Sequence, residues 1–230
     1  SDVYKGRMEW GVWERALVTD CWRETGRAPI GSKWVDVNKG DAAKPQIRSR
    51  FVVKEIATYK SDDFFAATPP LESFRLLLSL AASDAQDIKI EVLDARKAHL
   101  HAFADRTVFT QLPPEVAAPG YCARLVRILY GTRDAALNWQ ETLSEHLIVQ
   151  GSIRGIGHPS VFHHPAKNMW TLVHGDDYCS AGLADSLDWL QAALEELYEI
   201  KTQRIGHGKG KTAEGQVLNR VVRRTSAGFE

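Results

Sequence analysis

Cysteine is scarce in this 230-residue chain: Cys21, Cys122 and Cys179 are odd in number, widely spread and free of Cys-x-x-Cys spacing. That excludes a disulfide framework and a zinc knuckle, and makes a reducing compartment the default expectation. Long apolar runs are missing too. None approaches the roughly 18 residues of a membrane span, and Ser1-Asp2-Val3-Tyr4-Lys5 lacks the apolar core of a signal peptide. No membrane segment is expected, and the location should be intracellular: cytoplasm, nucleus or a larger particle, without secretion. There is no Gly-x-Ser-x-Gly, and nothing supports nucleophilic catalysis. Gly206-His207-Gly208-Lys209-Gly210-Lys211-Thr212 suggests a phosphate loop, but the required first glycine falls on Ile205. The absence of an initiator Met is what a fragment or a processed product would show.

Net charge is also absent, with 29 basic against 29 acidic residues. A nucleic-acid binder usually carries a basic excess, so neutrality counts against that class unless the charge is unevenly placed. It is uneven. Lys201, Arg204, Lys209, Lys211, Arg220, Arg223 and Arg224 are opposed within their stretch by Glu214 alone. These seven are candidates for contact with nucleic-acid phosphates, and the rival reading is a solvated basic tail.

At 44% hydrophobic and 25% charged residues, the chain has the composition of a soluble globular protein. It is long enough for one large domain or two subdomains sharing a core. The first thirty residues read as a helix with Trp10, Trp13, Ala16 and Leu17 on one face. Ser32-Lys33-Trp34-Val35-Asp36-Val37 and Arg48-Ser49-Arg50-Phe51-Val52-Val53-Lys54 alternate like strands around the turn residues Asn38-Lys39-Gly40-Asp41, predicting a basic hairpin. Apolar spacing predicts helices over 72–82, 134–149 and 186–199. Strands are expected to end at Asp94, to flank Gly175-Asp176-Asp177, and to cover 216–222. The order β-α-β-β-α-β is that of the split βαβ, ferredoxin-like fold, so the class is α+β. This order places the end of the first strand beside the hairpin of the second and third.

Asp94 and the pair Asp176-Asp177 would therefore meet on one edge. Adjacent carboxylates repel, and the arrangement is cheap if a cation sits nearby or if both are well solvated. Asp-Asp alone reads as a solvated turn. Asp94 in the matching topological position shifts the reading to a seat for divalent metal, since magnesium takes hard oxygen ligands from a few carboxylates and from substrate phosphates. Two such ions about 3.5–4 Å apart can activate a 3′ hydroxyl and stabilise leaving pyrophosphate. Asp94 and Asp176 are the expected bridging ligands, with Asp177 either ligating less directly or holding the site's charge.

Three segments carry a resemblance to a known family. Leu93-Asp94-Ala95-Arg96-Lys97-Ala98-His99-Leu100-His101, Leu129-Tyr130-Gly131-Thr132-Arg133-Asp134-Ala135-Ala136-Leu137-Asn138-Trp139 and Val173-His174-Gly175-Asp176-Asp177 stand in this order. They resemble the palm motifs of Ty1/copia-type retrotransposon reverse transcriptases: Leu-Asp-Val-Lys-Thr-Ala-Phe-Leu-His, Leu-Tyr-Gly-Leu-Lys-Gln-Ala-Pro-x-x-Trp and x-x-Asp-Asp. Residues 30–35 and 48–54 are similar to the family's fingers, and 73–78 to its helix before the palm. The resemblance runs from about residue 5 to 222 and implies a right-hand polymerase: an N-terminal helical segment (1–30), a fingers-like region (31–87) and a palm (88–230), without thumb or ribonuclease H.

The resemblance implies Asp94, Asp176 and Asp177 as catalytic metal ligands for Mg2+ or Mn2+, with the carbonyl of Ala95 as a further one. Arg48, Arg50 and Lys54 would face the incoming triphosphate, helped by Lys97. Tyr130 and Gly131 would lie under the nascent base pair and template. His99 stands where the family has Phe, the position that screens against a ribose 2′ hydroxyl. The implied activity is template-directed DNA synthesis, with an RNA or DNA primer-template and deoxynucleoside triphosphates as partners. Ala136 replaces the helix-entry proline, and Gly175 stands where Val or Ala is usual and is expected to loosen the turn. These departures and the missing thumb keep a second reading open: a retroelement-derived structural or binding subunit, joined to other protein subunits of a larger assembly. A nucleotidyl cyclase shares the palm topology, but the fingers segment and the Leu-Tyr-Gly stretch argue against it.

Overall fold

A computed structural model of the chain describes residues 11–56, 66–83, 87–96, 98–206, 212–217 and 220–230, with His99 described by its backbone alone. Two compact units interleave along the sequence: Ser1–Phe65 with His99–Trp139, and Ala66–Ala98 with Gln140–Glu230. The segment boundaries expected at residues 31 and 88 cut across this division.

In the first unit, β1 (Trp13–Leu17), β6 (Tyr121–Leu125) and β5 (Phe109–Thr110) form an antiparallel sheet in the order β1-β6-β5. The helix expected across the first thirty residues is thus corrected over its described part. Trp13, Ala16 and Leu17 are extended and pair with Leu125, Cys122 and Tyr121, and helix α1 covers only Val18–Thr25. Pairing with a distant strand satisfies the backbone here and overrides the local spacing. Gly26, at φ 66°, ends α1 with its N–H donated to the carbonyl of Trp22.

The hairpin β2 (Ser32–Asn38) and β3 (Ile47–Val53) forms as expected. Asn38 Oδ1 accepts the N–H groups of Gly40 and Gln46 at its turn. Alternation puts Trp34, Phe51 and Val53 on one face, where Phe51 and Val53 join Val12, Leu100, Val108, Leu125 and Leu129 in the core. Lys33, Arg48 and Arg50 share the opposite face.

The second unit carries a six-stranded antiparallel sheet in the order β11 (Ile200–Ile205), β4 (Lys89–Ala95), β10 (Asp177–Gly182), β9 (Met169–His174), β8 (Val161–His164) and β7 (Ile153–Arg154). With α2 (Leu71–Ser83), α3 (Ala135–Val149) and α4 (Ala184–Glu195) added, the order β4-α3-β9-β10-α4-β11 is the expected split βαβ. Its last strand is not where the pattern put it. The strands β12 (Glu214–Val217), β13 (Arg220–Thr225) and β14 (Gly228–Phe229) make a separate small sheet, and β11 closes the main sheet beside β4.

Phe74, Leu77 and Ala81 of α2 pack with Ile90, Leu172, Cys179 and Ala181 on one face of this sheet. On the other face Arg204 of β11 reaches both Glu91 of β4 and Asp188 of α4. Asp94 lies four residues after Ile90 on β4 and Asp177 two before Cys179 on β10, so both share the α2 face of the sheet. No helix among the described residues is long and apolar enough to cross a membrane.

Candidate active site

Four neighbouring strands bring one row of ionisable side chains to a single sheet face. Asp177 of β10 pairs with His174 of β9 on one side and with Asp94 of β4 on the other, and Asp94 pairs with Lys201 of β11. Residues directly opposite in an antiparallel pair have Cβ atoms about 4.5–5.5 Å apart and project together. Asp177, rather than Asp176, therefore lies across from Asp94. Asp176 sits one residue earlier in the turn, where its carbonyl accepts the N–H of Ala95 at 3.1 Å. Ala95 itself is fully buried.

Gly175 gives this turn its shape. Its φ is 63°, Asp176 does not share the positive φ, and His174 pairs with Asp177 across the two-residue connection. Glycine first in a two-residue loop is the pattern of a type II′ hairpin, which matches the twist of the flanking strands. The glycine expected to loosen the hairpin thus occupies a position where a β-branched residue would be strained.

The electrostatics are those of crowded acids. Burial pushes the carboxyl of Asp177 above its ordinary value, Asp176 and Asp94 push it further, and His174 pulls the other way. Behind the turn Tyr178 is fully buried and its hydroxyl has no hydrogen-bond partner among the described residues. The buried Cys179 thiol is pushed up to about 12, so it stays protonated and is no nucleophile. Among the described residues no group of three or more His, Cys, Asp or Glu side chains is placed so that it could hold a metal ion, so Asp94, Asp176 and Asp177 do not converge as a ready three-carboxylate site. The donor set nevertheless suits a hard cation, because magnesium is held by one or two carboxylates with the remaining ligands from substrate phosphates and water.

The expected substrate residues of the first unit fall on two adjoining elements. Arg48 and Arg50 share one face of the β2–β3 hairpin with Lys33, and Lys54 follows β3 and is exposed. The Arg50 guanidinium lies 5.2 Å from the centre of the Tyr130 ring. Tyr130 and Gly131 run beside the end of β3: Val53 N–H donates to Tyr130 O at 2.9 Å and Glu55 N–H to Gly131 O at 3.3 Å. Gly131 has φ 85°, and a Cβ there would overlap the Val53 carbonyl. Lys97 and the side chain of His99 lie outside the described residues.

The basic C-terminal stretch is less available than its composition suggests. Arg204 turns inward, donating Nε to Glu91 Oε2 at 2.7 Å and Nη1 to Asp188 Oδ1 at 2.7 Å. Arg223 bonds Glu214 at 2.8 Å and Glu230 at 3.3 Å, and Arg224 lies 4.6 Å over the Phe229 ring. Lys201 and Arg220 are exposed; Lys209 and Lys211 lie outside the described residues. Sequence reading does not reach the place of His174 in the carboxylate row, because cross-strand register leaves no mark in local spacing.

Residues 18–155, more than half of the chain, match the family described as "Reverse transcriptase (RNA-dependent DNA polymerase)". The chain is 30% identical over 145 residues to the retrovirus-related Pol polyprotein from transposon TNT 1-94 of Nicotiana tabacum, which covers 60% of this chain and 11% of that protein. It is 24% identical over 217 residues to the corresponding polyprotein from transposon RE1 of Arabidopsis thaliana, covering 84% of this chain and 15% of that one. The chain thus spans a small part of these relatives' length. Among solved structures it is similar to apo telomerase from Candida tropicalis truncated from its C-terminal domain. That likeness has a TM-score of 0.51 at 9% identity and covers 97% of this chain and 58% of the other, a likeness of fold alone.

Proposed function

The chain belongs to the reverse transcriptase family, in its Ty1/copia branch, and on that footing we propose that it adds nucleotides within a retrotransposon Pol polyprotein. The proposed reaction is template-directed DNA synthesis by two-metal phosphoryl transfer. The observation that carries it is the cross-strand pair Asp94–Asp177 with Asp176 in the adjoining turn. Asp94, Asp177 and Asp176, with the Ala95 carbonyl, would hold magnesium or manganese, which lowers the pKa of a primer 3′ hydroxyl and neutralises charge on the leaving pyrophosphate. The crowded acids create an anionic seat that a divalent cation relieves.

The other residues bind and orient. Arg48, Arg50, Lys54 and Lys97 would face the triphosphate, and Tyr130 and Gly131 would lie under the nascent pair, with His99 near the sugar. Lys201 and Arg220, with Lys209 and Lys211, would meet phosphates of the RNA or DNA primer-template, where charge gives affinity without sequence choice.

Primer extension with magnesium tests the proposal. Wild type should extend a primed template, and Asp176→Asn should lose roughly 10²–10³-fold in rate, the scale of removing a group that stabilises transition-state charge. Equal extension by the two proteins would refute the assignment. A second reading, a retroelement-derived binding or structural subunit, is favoured by the internal pairing of Arg204 and Arg223, which removes cations from the nucleic-acid surface. Well-folded wild type and Asp176→Asn that are equally inactive would support that reading.

A further inference from the structure

Arg106 joins two segments of the first unit that no sequence motif connects. Its Nη1 and Nη2 donate to Glu55 Oε1 and Oε2 at 2.9 and 2.5 Å, and its Nε and Nη2 donate to Asp134 Oδ2 and Oδ1 at 2.8 Å each. Glu55 Oε2 also accepts the backbone N–H of Arg133 at 3.0 Å. The side chains of Glu55 and Asp134 are only 9% and 3% exposed, so the fork is desolvated on its acidic side. Burial pushes both carboxyls up, but the bonds from Arg106 outweigh it and hold both below their ordinary values. The triad is therefore fully ionised, with two acids on one base.

The fork spans the same gap that the backbone spans with two bonds. Glu55 stands two residues after β3, Asp134 stands just before α3, and Tyr130 and Gly131 lie on the stretch leading to Asp134. The bonds from Val53 N–H to Tyr130 O and from Glu55 N–H to Gly131 O close a narrow ring whose other side is Arg106. A backbone pairing two bonds long at the end of a strand frays readily. A bidentate guanidinium gripping both sides holds it in a fixed geometry.

We propose that Arg106 is a positioning residue that sets the Tyr130–Gly131 turn against the end of β3, and so fixes Tyr130 beneath Arg50. It does not touch substrate. This rests on reading Arg50, Tyr130 and Gly131 as substrate contacts. Lysine keeps the charge but loses the fork, so Arg106→Lys separates geometry from charge.

The test compares wild type, Arg106→Lys and Glu55→Gln by amide exchange in NMR and by primer extension. In both variants the amides of Val53 and Glu55 should exchange roughly tenfold faster, while the Ile30 amide, bonded to Phe109 O at 2.9 Å in the same unit, keeps its wild-type rate. The KM for deoxynucleotide should rise roughly tenfold, with kcat changed less than about threefold, as for misplacement of a binding element. Unchanged exchange at Val53 and Glu55, or an equal increase at Ile30, would overturn the proposal. If Arg106→Lys does not fold, Glu55→Gln carries the same comparison, because it keeps an acceptor for Arg133. Wild type without incorporation would refute the polymerase reading, while the exchange comparison still decides the role of Arg106.

Discussion

Asp177→Asn should stabilise the metal-free protein slightly while removing nucleotide addition. Burial, Asp176 and Asp94 all raise the folded pKa of Asp177 above its ordinary 3.8. For an acid shifted upward, the stability contributed by the neutral form is complete below the unfolded pKa. It is lost as pH rises through the folded pKa. At neutral pH the ionised Asp177 therefore works against folding, and Asn keeps the shape without the charge. Asp177 is only half-buried, so solvent screens the repulsion and the gain is about 0.5 kcal/mol, or roughly 1–2 °C in Tm. If Asp177 is a ligand as proposed, nucleotide addition should fall roughly thousandfold with the loss of its carboxylate. Thermal denaturation at pH 4 and pH 7 checks the sign: the advantage of Asn should be present at pH 7 and fade at pH 4. A less stable Asp177→Asn at pH 7 would mean that the carboxylates are not in conflict.

Arg204→Ala should produce the largest loss of stability, and its size should depend on pH. Glu91 is fully buried, and burial pushes its carboxyl up to about 7 although Arg204 pulls it down. The two acids hold Arg204 above its ordinary value, so attraction is felt on both sides of the pair; on Glu91 burial outweighs it. Because the folded pKa of Glu91 lies above the unfolded 4.5, the stability this group contributes is complete below 4.5 and is lost as pH rises through 7. Deleting the guanidinium raises that folded pKa further and leaves a buried carboxylate alone at high pH. We expect a loss of about 3–5 kcal/mol at pH 8 and of about 1–2 kcal/mol at pH 5, where Glu91 is already neutral. Urea denaturation at the two pH values measures it. An equal loss at both would show that Glu91 does not change charge over this range.

Much of the second unit was legible in the sequence because its signals are local. The helices over 71–83 and 135–149 follow apolar spacing, and the strands around Gly175 are apolar runs broken by turn residues. The last strand was hidden for a chemical reason. Lys-Thr-Gln-Arg falls in the stretch whose rival reading is a solvated basic tail, yet Arg204 points inward because Glu91 neutralises it, and Lys201 extends the carboxylate row. Strand β1 was hidden because its partner β6 lies about a hundred residues away.

The candidate site was legible as a set of residue types and as a resemblance, but its geometry was not. Spacing reaches Asp94, Asp176 and Asp177 as neighbours, and only cross-strand register says which two face each other. Gly175 looks like a weakness in a string of letters and becomes the turn-forming residue once its φ is known. Arg106, Glu55 and Asp134 are separated by 51 and 28 residues from one another and sit in no shared pattern.

Anomalous diffraction from crystals of the chain with a primer-template, a deoxynucleoside triphosphate and manganese would test the carboxylate seat most directly. The predicted result is manganese coordinated by oxygens of Asp94 and Asp177, at the roughly 2.0–2.2 Å of a small hard divalent cation, with triphosphate oxygens completing the shell. Triphosphate bound with its manganese away from Asp94, Asp176 and Asp177 would contradict it.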